Sequence, residues 1–600
     1  MSYQTKLHSF HIPVLGTGYT LDTPVNVAHF GISSVISVVD DVLIEKMREM
    51  YSKKFDLPFQ SITDAIDDFR AKRITAYLNL VDKIVKSKFE ELKATLQKKS
   101  TELEKFIDML PDMSTVKQEY LKHINEFGQS SKLNQWIQKN LKPGSIDINI
   151  MTKLDKENYK GNDKLPIEYN DAHAALRGFA LSDLESSIVL SAGMNPRLSS
   201  YFESFEDFYP TPDGYLKKQI IIKVSDYRSA LIQGKFFAKK GLWVSEYRIE
   251  SGLNCGGHAF ATDGYLMGPI LEEFKNSRES LLHETFQMFQ QALKAKNRPY
   301  PETPPEMRIT AQGGVGTSQE HDFLLENYNL DSIGWGTPFL LVPEATNVDE
   351  GTLDLLCKAK EEDLYLSGIS PLGVPFNSVR NNSKGIEKEE KIRNGKPGAA
   401  CIKKYLALYA DASGKPTCTA SRTYQRKKIQ ELQEKNLSPA EYEKEYKKIV
   451  EKECLCLGLA ASTLKVHNIP KEGGSDGVTI CPGPNLAYFS RRMTLKEMID
   501  HIYGRINVIE RTDRPNLFVK ELSLYVDNLK QQISNEVTPI AKAHAKRLET
   551  FKKNLFEGIA YYKELFFKND KLQNFVSETD LTELAKLENS LKDVEITIAL

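Results

Sequence analysis

Three glycine-punctuated turns, each directly after a short apolar run, constrain this 600-residue chain more than anything else in it. The first is Leu253–His258 (L-N-C-G-G-H), which follows the run Leu242–Tyr247. The second is Ile309–Gly316 (I-T-A-Q-G-G-V-G) and the third Ile333–Phe339 (I-G-W-G-T-P-F). Paired glycines after β-runs, repeated at helix-plus-strand intervals, are how a (β/α) barrel clears its C-terminal rim for a phosphate. Backbone without Cβ atoms lets N–H groups approach the anion. His258 adds a proton-transfer group at that rim.

The β-runs are Ile12–Gly18, Gly31–Val39, Ile146–Met151, Ser187–Gly193, Gln219–Val224, Leu242–Tyr247, Arg308–Gln312 and Asp331–Trp335, with a further run at Asp363–Ser367. Helical stretches such as Asp226–Lys240 and Leu271–Ala295 lie between many of them. Eight strand–helix units suit a closed parallel barrel better than an open sheet. The expected fold class is therefore α/β, a (β/α)8 TIM barrel with an inserted helical region and a C-terminal extension that is Cys-rich and then helical. Residues 1–40 read as the first barrel units, 41–142 as the helical insertion, 143–370 as the rest of the barrel, 371–493 as a Cys-rich loop segment and 494–600 as a helical region. In the insertion, Ile74, Tyr77, Leu78, Val81, Ile84, Val85 and Phe89 repeat at helical spacing. They read as a helical cap or as a coiled-coil face, the latter a route to a homo-oligomer. One charged helix, Thr423–Lys452, is expected inside the Cys-rich segment.

Composition narrows the function classes. Lys plus Arg total 80 against 81 Asp plus Glu, so no global field favours nucleic acid or an acidic membrane. The N-terminus lacks an apolar signal region and no apolar run approaches membrane-spanning length, which points to a cytoplasmic protein. Seven cysteines, an odd number, argue against a disulfide framework and leave free thiols, a metal site or redox chemistry.

Gly313, Gly314, Gly336 and Thr337 offer backbone N–H donors and a hydroxyl to a phosphate, aided by a helix N-terminus after the loop; the alternative is that the glycines only permit tight turns. A GxGxxG dinucleotide site is disfavoured, because V-L-G-T-G-Y-T-L lacks the third glycine. His258 suits a general base or a substrate-binding role. Cys255 beside it reads as packing rather than a redox thiol. Cys418, Cys454, Cys456 and Cys481, with Cys401 as a spare, could hold a [4Fe–4S] cluster or Zn²⁺, or be scattered buried thiols.

These features resemble the nitronate monooxygenase (2-nitropropane dioxygenase-like) family of FMN-dependent barrels, which includes flavin-containing enoyl-acyl-carrier-protein reductases. Pro13–Val35 is similar to the family's opening strand, loop and helix-to-strand turn, and Asn149 stands where the family carries an asparagine. Gly256, Gly257 and His258 look like its strand-six motif, and Gly313–Gly314 with Gly336–Thr337 look like its two phosphate loops. The likeness covers roughly residues 10–40 and 143–345. It departs at Asn254 and Cys255, where the family usually has Glu-Ala, and at Lys223, where many nitronate enzymes are uncharged.

The resemblance implies an FMN-dependent oxidoreductase acting on a small organic or acyl substrate; an iron–sulfur cluster on the cysteines, read from the residues themselves, would serve it as an electron relay. Flavin chemistry needs positive charge near the pyrimidine end of the ring, for which Lys223 is the candidate, while Asn149 and Gln312 could bind ring edges or ribityl hydroxyls. The alternatives are an NAD(P)H-dependent flavin enoyl reductase and a non-catalytic barrel scaffold.

Overall fold

The computed structural model describes residues 7–94, 101–127, 131–410, 414, 416–471, 473, 475–535, 541–568 and 575–596. The first six residues, read above for an export signal, and residues 95–100 and 128–130 of the insertion lie outside that set. Eight parallel strands close into a barrel: Phe10–Ile12 (β1), Ser33–Ser37 (β2), Ile146–Ile150 (β3), Ser186–Leu190 (β4), Lys218–Val224 (β5), Val244–Glu250 (β6), Arg308–Gln312 (β7) and Ser332–Gly334 (β8). Each strand pairs with its sequence neighbours, and β1 closes the ring on β8 with Phe10 opposite Ile333. The expected (β/α)8 barrel is what the chain forms.

The first strand is displaced from its expected place. It ends at Ile12 because Pro13 has no N–H for the ladder, and Gly16 turns the chain at φ +54°. Residues 13–18 thus become a rim loop. Asp363–Ser367 is not a barrel strand either: Leu364–Ser367 pairs antiparallel with Phe376–Val379. The single charged helix expected over Thr423–Lys452 is two, Arg422–Gln433 and Pro439–Val450, because Ser438 caps the second through a capping box with Pro439 at its first turn.

Period-two alternation fixes what faces inward. Glu246, Arg248 and Glu250 climb the inner face of β6, and Arg308, Thr310 and Gln312 climb β7. Glu246 is fully buried and binds Arg248 at 2.6 Å, the Thr310 hydroxyl at 2.7 Å and Arg308 at 3.3 Å. A buried carboxylate needs such partners, and this network plugs the N-terminal half of the cylinder. The layer formed by Val35, Val189 and Ile221 continues the fill. Above that fill, space opens towards the C-terminal ends.

The helices after β2 are not a detached cap. The expected apolar stripe, from Ile74 to Phe89, lies on the helix Phe69–Ala94 and is buried in the main core. Gly178 lets that helix pack onto Asp171–Ala180, since a Cβ there would stand 2.8 Å from Ile74. The coiled-coil reading is thereby corrected: the stripe is covered by the barrel's own helices. At the far end of the chain, Leu517–Asn535, Lys542–Lys568 and Glu578–Lys592 pack on one another and on the long helix Met267–Ala295. Among the described residues, no helix is long and apolar enough to cross a membrane.

Candidate functional site

One cavity opens at the C-terminal ends of the barrel strands. All ten barrel residues singled out from the sequence line it: Asn149, Lys223, Gly256, Gly257, His258, Gln312, Gly313, Gly314, Gly336 and Thr337. Asn149, Lys223 and Gln312 each take the last or nearly last inward position of β3, β5 and β7, which aims three polar groups at one space.

Glu250, at the matching end of β6, joins them, and sequence reasoning passed it over. Its carboxylate accepts from Gln312 Nε2 at 2.6 Å and pairs with Lys223 Nζ at 3.2 Å. The apolar run that marked this strand stopped at Tyr247, three residues short of Glu250. Three buried amide oxygens of residues lining the cavity, Asn149 Oδ1, Asn254 Oδ1 and Gln312 Oε1, accept no hydrogen bond from the protein. An unpaired buried acceptor costs roughly 1–3 kcal/mol, so such atoms mark where a donor is missing.

His258 is hydrogen-bonded through Nε2 to Ser370 Oγ at 2.7 Å, and its ring meets Phe376 edge-on. Burial lowers its pKa to about 4, with the positive charges of Lys153 and Lys223 adding to the effect. It is therefore a neutral imidazole at ordinary pH, able to accept a proton. Burial also raises the Cys255 thiol, with Glu250 adding to the shift, so Cys255 is no thiolate and packs against Gln312.

The glycines are bare for reasons partly different from those expected. A Cβ on Gly314 would fall 2.0 Å from Asn254 Nδ2, and one on Gly256 would fall 2.5 Å from the Cys481 carbonyl oxygen. Close approach of neighbouring loops, rather than an anion, fills those faces. The helix N-terminus after β7, expected to assist a phosphate, is already engaged: Gly316 and Thr317 donate their N–H groups to the Glu320 carboxylate at 2.8 and 3.3 Å. Arg514 binds the same carboxylate at 2.7 Å and donates to Gly314 O at 2.8 Å. What is left for an anion is the backbone of Gly313, Gly314 and Gly336 and the Thr337 hydroxyl, whose oxygen accepts from Gly483 N–H at 3.0 Å.

The remaining wall comes from beyond the barrel. Phe376, Leu459, Ile480, Cys481 and Asn485 all face the cavity. Gly257 N–H donates to Cys481 O at 3.1 Å, and Asn377 Nδ2 donates to Cys255 O at 2.7 Å, which stitches the post-barrel segment to the Gly-Gly-His turn.

The metal expectation needs correcting on the same ground. Cys418, Cys454, Cys456 and Cys481 do not come together, because Cys481 is drawn to the barrel mouth by that Gly257 bond. Among the described residues, no three His, Cys, Asp or Glu side chains are grouped so as to hold a metal ion.

No protein-family model and no curated protein matches the chain. Among solved structures it is similar to FabK from Thermotoga maritima, at 13% identity over 67% of this chain and 83% of that one, with a TM-score of 0.29. It is also similar to the enoyl reductase domain of MlnA from the macrolactin biosynthesis cluster of Bacillus amyloliquefaciens, at 13% identity over 65% and 86%, with a TM-score of 0.33. Nitroalkane oxidase from Streptomyces ansochromogenes matches at 9% identity over 83% and 94%, again with a TM-score of 0.33. At such identities and scores these likenesses carry no argument about activity. The site must carry it.

Proposed function

We propose that the protein is an FMN-dependent oxidoreductase of the nitronate monooxygenase type, acting on a small organic or acyl substrate. The observation that carries this reading is that Asn149 Oδ1 and Gln312 Oε1, two of those three buried amide oxygens, line the cavity without a donor beside the Lys223–Glu250 pair. The residues fit the group. Amide oxygens suit the N–H edge of a flavin ring, and Lys223 suits its pyrimidine end, where negative charge collects on reduction. The backbone of Gly313, Gly314 and Gly336 suits the phosphate.

When bound, FMN supplies the two-electron chemistry. The protein's own part begins with His258, whose neutral imidazole takes a proton from the substrate carbon while Ser370 fixes the ring's orientation. Glu250 holds Lys223 and Gln312 in place, and the apolar wall of Phe376, Leu459 and Ile480 keeps water from the reacting carbon.

The test is FMN titration of the purified full chain, read by flavin absorbance and fluorescence. Saturable one-to-one binding is expected, weakened in Gln312→Leu and Asn149→Leu. Absence of FMN binding by the unsubstituted protein sinks the reading. Adding NAD(P)H anaerobically to the loaded protein then separates the two enzyme classes, because bleaching of the flavin favours the enoyl reductase alternative.

A further inference from the structure

A second cavity lies at the opposite, N-terminal end of the barrel and shares no lining residue with the first. Its walls follow from period two. Ser33, Ser187 and Gln219 each stand two residues before a member of the apolar layer Val35, Val189 and Ile221. Short polar side chains therefore line the floor of the cylinder, where branched apolar ones would fill it. Arg308, two residues before Thr310 on β7, adds a guanidinium. The space left has a volume of about 730 Å³, within the roughly 300–1,000 Å³ of small-molecule sites.

Two groups in this cavity lack the partner their chemistry calls for. The strand pairing shifts by one residue at Ser245, since Ile220 pairs with Val244 but Ile221 with Glu246. A bulge of this kind re-aims a side chain. Ser245 is 3% exposed and lines the cavity, yet its hydroxyl has no hydrogen-bond partner in the protein. Arg308, 9% exposed, reaches Glu246 and Glu306 at 3.3 Å each and Gln219 Oε1 at 3.5 Å. Arg248, by contrast, holds Glu246 at 2.6 Å. Charge-assisted bonds of this type close to about 2.7–2.9 Å, so the Arg308 fork is loosely held. Its Glu306 partner is partly exposed and can turn to water.

We propose that the N-terminal mouth of the barrel is a second binding site, for a small hydroxylated monocarboxylate. The ligand's carboxylate takes the Arg308 fork in place of Glu306 and accepts from the Ser245 hydroxyl. Ser33, Ser187 and Gln219 meet the ligand's own hydroxyls. The rim sets Lys142 and Lys217 against Glu185, Asp213 and Glu306, which leaves no surplus of positive charge for a phosphate dianion. Glu246 and its partners Arg248 and Thr310 lie between this site and the C-terminal cavity, so the two are occupied separately.

The experiment titrates the full-length protein with glycerate, followed by saturation-transfer difference NMR, with acetate and inorganic phosphate as comparison probes. Saturable binding of glycerate is expected, tighter than that of either comparison probe. Ser245→Ala should weaken it about 2–10-fold, the worth of one hydrogen bond. Glu306→Gln should tighten it by removing the competing carboxylate, and Arg308→Lys should weaken it about tenfold or more by losing the fork. Because Arg308→Lys could disturb the Glu246 network, Ser245→Ala decides. In the free protein that variant should keep or raise the unfolding temperature, since it removes an unsatisfied buried hydroxyl. The proposal is overturned if glycerate does not bind saturably, if phosphate binds more tightly, or if Ser245→Ala leaves the affinity for glycerate unchanged.

Discussion

Glu521 accepts a hydrogen bond from the Ser251 hydroxyl at 2.5 Å and another from the Met267 N–H at 2.8 Å. A helix near the end of the chain thereby ties together both ends of the turn that carries Cys255, Gly256, Gly257 and His258. Burial raises this carboxyl from 4.5 to about 7. Between those values the folded state holds a proton that the unfolded chain has lost. The stabilisation is therefore complete at low pH and lost as pH rises through 7. Glu521→Gln keeps the acceptor and cannot ionise. Relative to the parent, it should gain about 2–3 kcal/mol of stability between pH 5 and pH 8. Denaturant titrations at both values check this, and a difference independent of pH would remove the assignment.

Two buried histidines pull the other way. Trp335 Nε1–H donates to His321 Nδ1 at 3.1 Å, so that nitrogen must stay unprotonated; His8 bonds Tyr503 at 2.9 Å and Phe30 O at 3.2 Å. Burial lowers His8 to about 4 and His321 to about 3. Below 6.5 the unfolded chain takes up protons that the folded chain refuses, so stability falls as pH falls from 6.5 towards 4. At pH 5 this is about 2 kcal/mol for each histidine, together more than the opposite gain of roughly 2 kcal/mol from Glu521. The urea midpoint should be lower at pH 5 than at pH 7, and an equal or higher midpoint would contradict the balance.

Gly314 and Gly257 share φ +77° but differ in what surrounds them. A Cβ on Gly314 would overlap Asn254, whereas one on Gly257 meets nothing within 4 Å. Gly257→Ala should cost only the left-handed strain, roughly 1–2 kcal/mol. Gly314→Ala adds overpacking of about 1–3 kcal/mol more. Thermal unfolding should rank Gly314→Ala well below Gly257→Ala, and the reverse order would mean that the turn does not pack on Asn254.

The eight strands were legible because each is an apolar run cut off by Gly, Pro or a polar turn; β1 slid across Pro13, β4 stopped at Leu190 and β6 ran on past Tyr247 to Glu250. Asn149, Lys223 and Gln312 were legible because strand ends of one barrel face converge whatever the loops do. Glu250 was hidden because the expected run stopped at Tyr247, three residues short of the strand's end. Ser370, Phe376, Ile480, Cys481 and Asn485 were hidden by distance, since nothing local in Cys-Pro-Gly-Pro says that its backbone will dock on Gly257. The cysteines misled for the same reason: proximity in sequence favoured Cys481, whose backbone docks on Gly257 at the barrel mouth instead.

His258 offers the sharpest reading of the proposed chemistry. Its pKa is lowered to about 4 first by burial, then by Lys153 and Lys223. If His258 takes the substrate proton, kcat/KM should stay flat from pH 8 to pH 5 and fall only near pH 4. His258→Asn should lower kcat by about 10²–10⁴-fold with FMN still bound. Lys223→Met removes the smaller of the two repelling charges, so the acid limb should move up only a little from about 4, burial and Lys153 still holding it down; the His258 ring signal followed by NMR gives the same shift where turnover is too slow to measure. A limb already at 6.5 in the parent would take His258 out of the proton step.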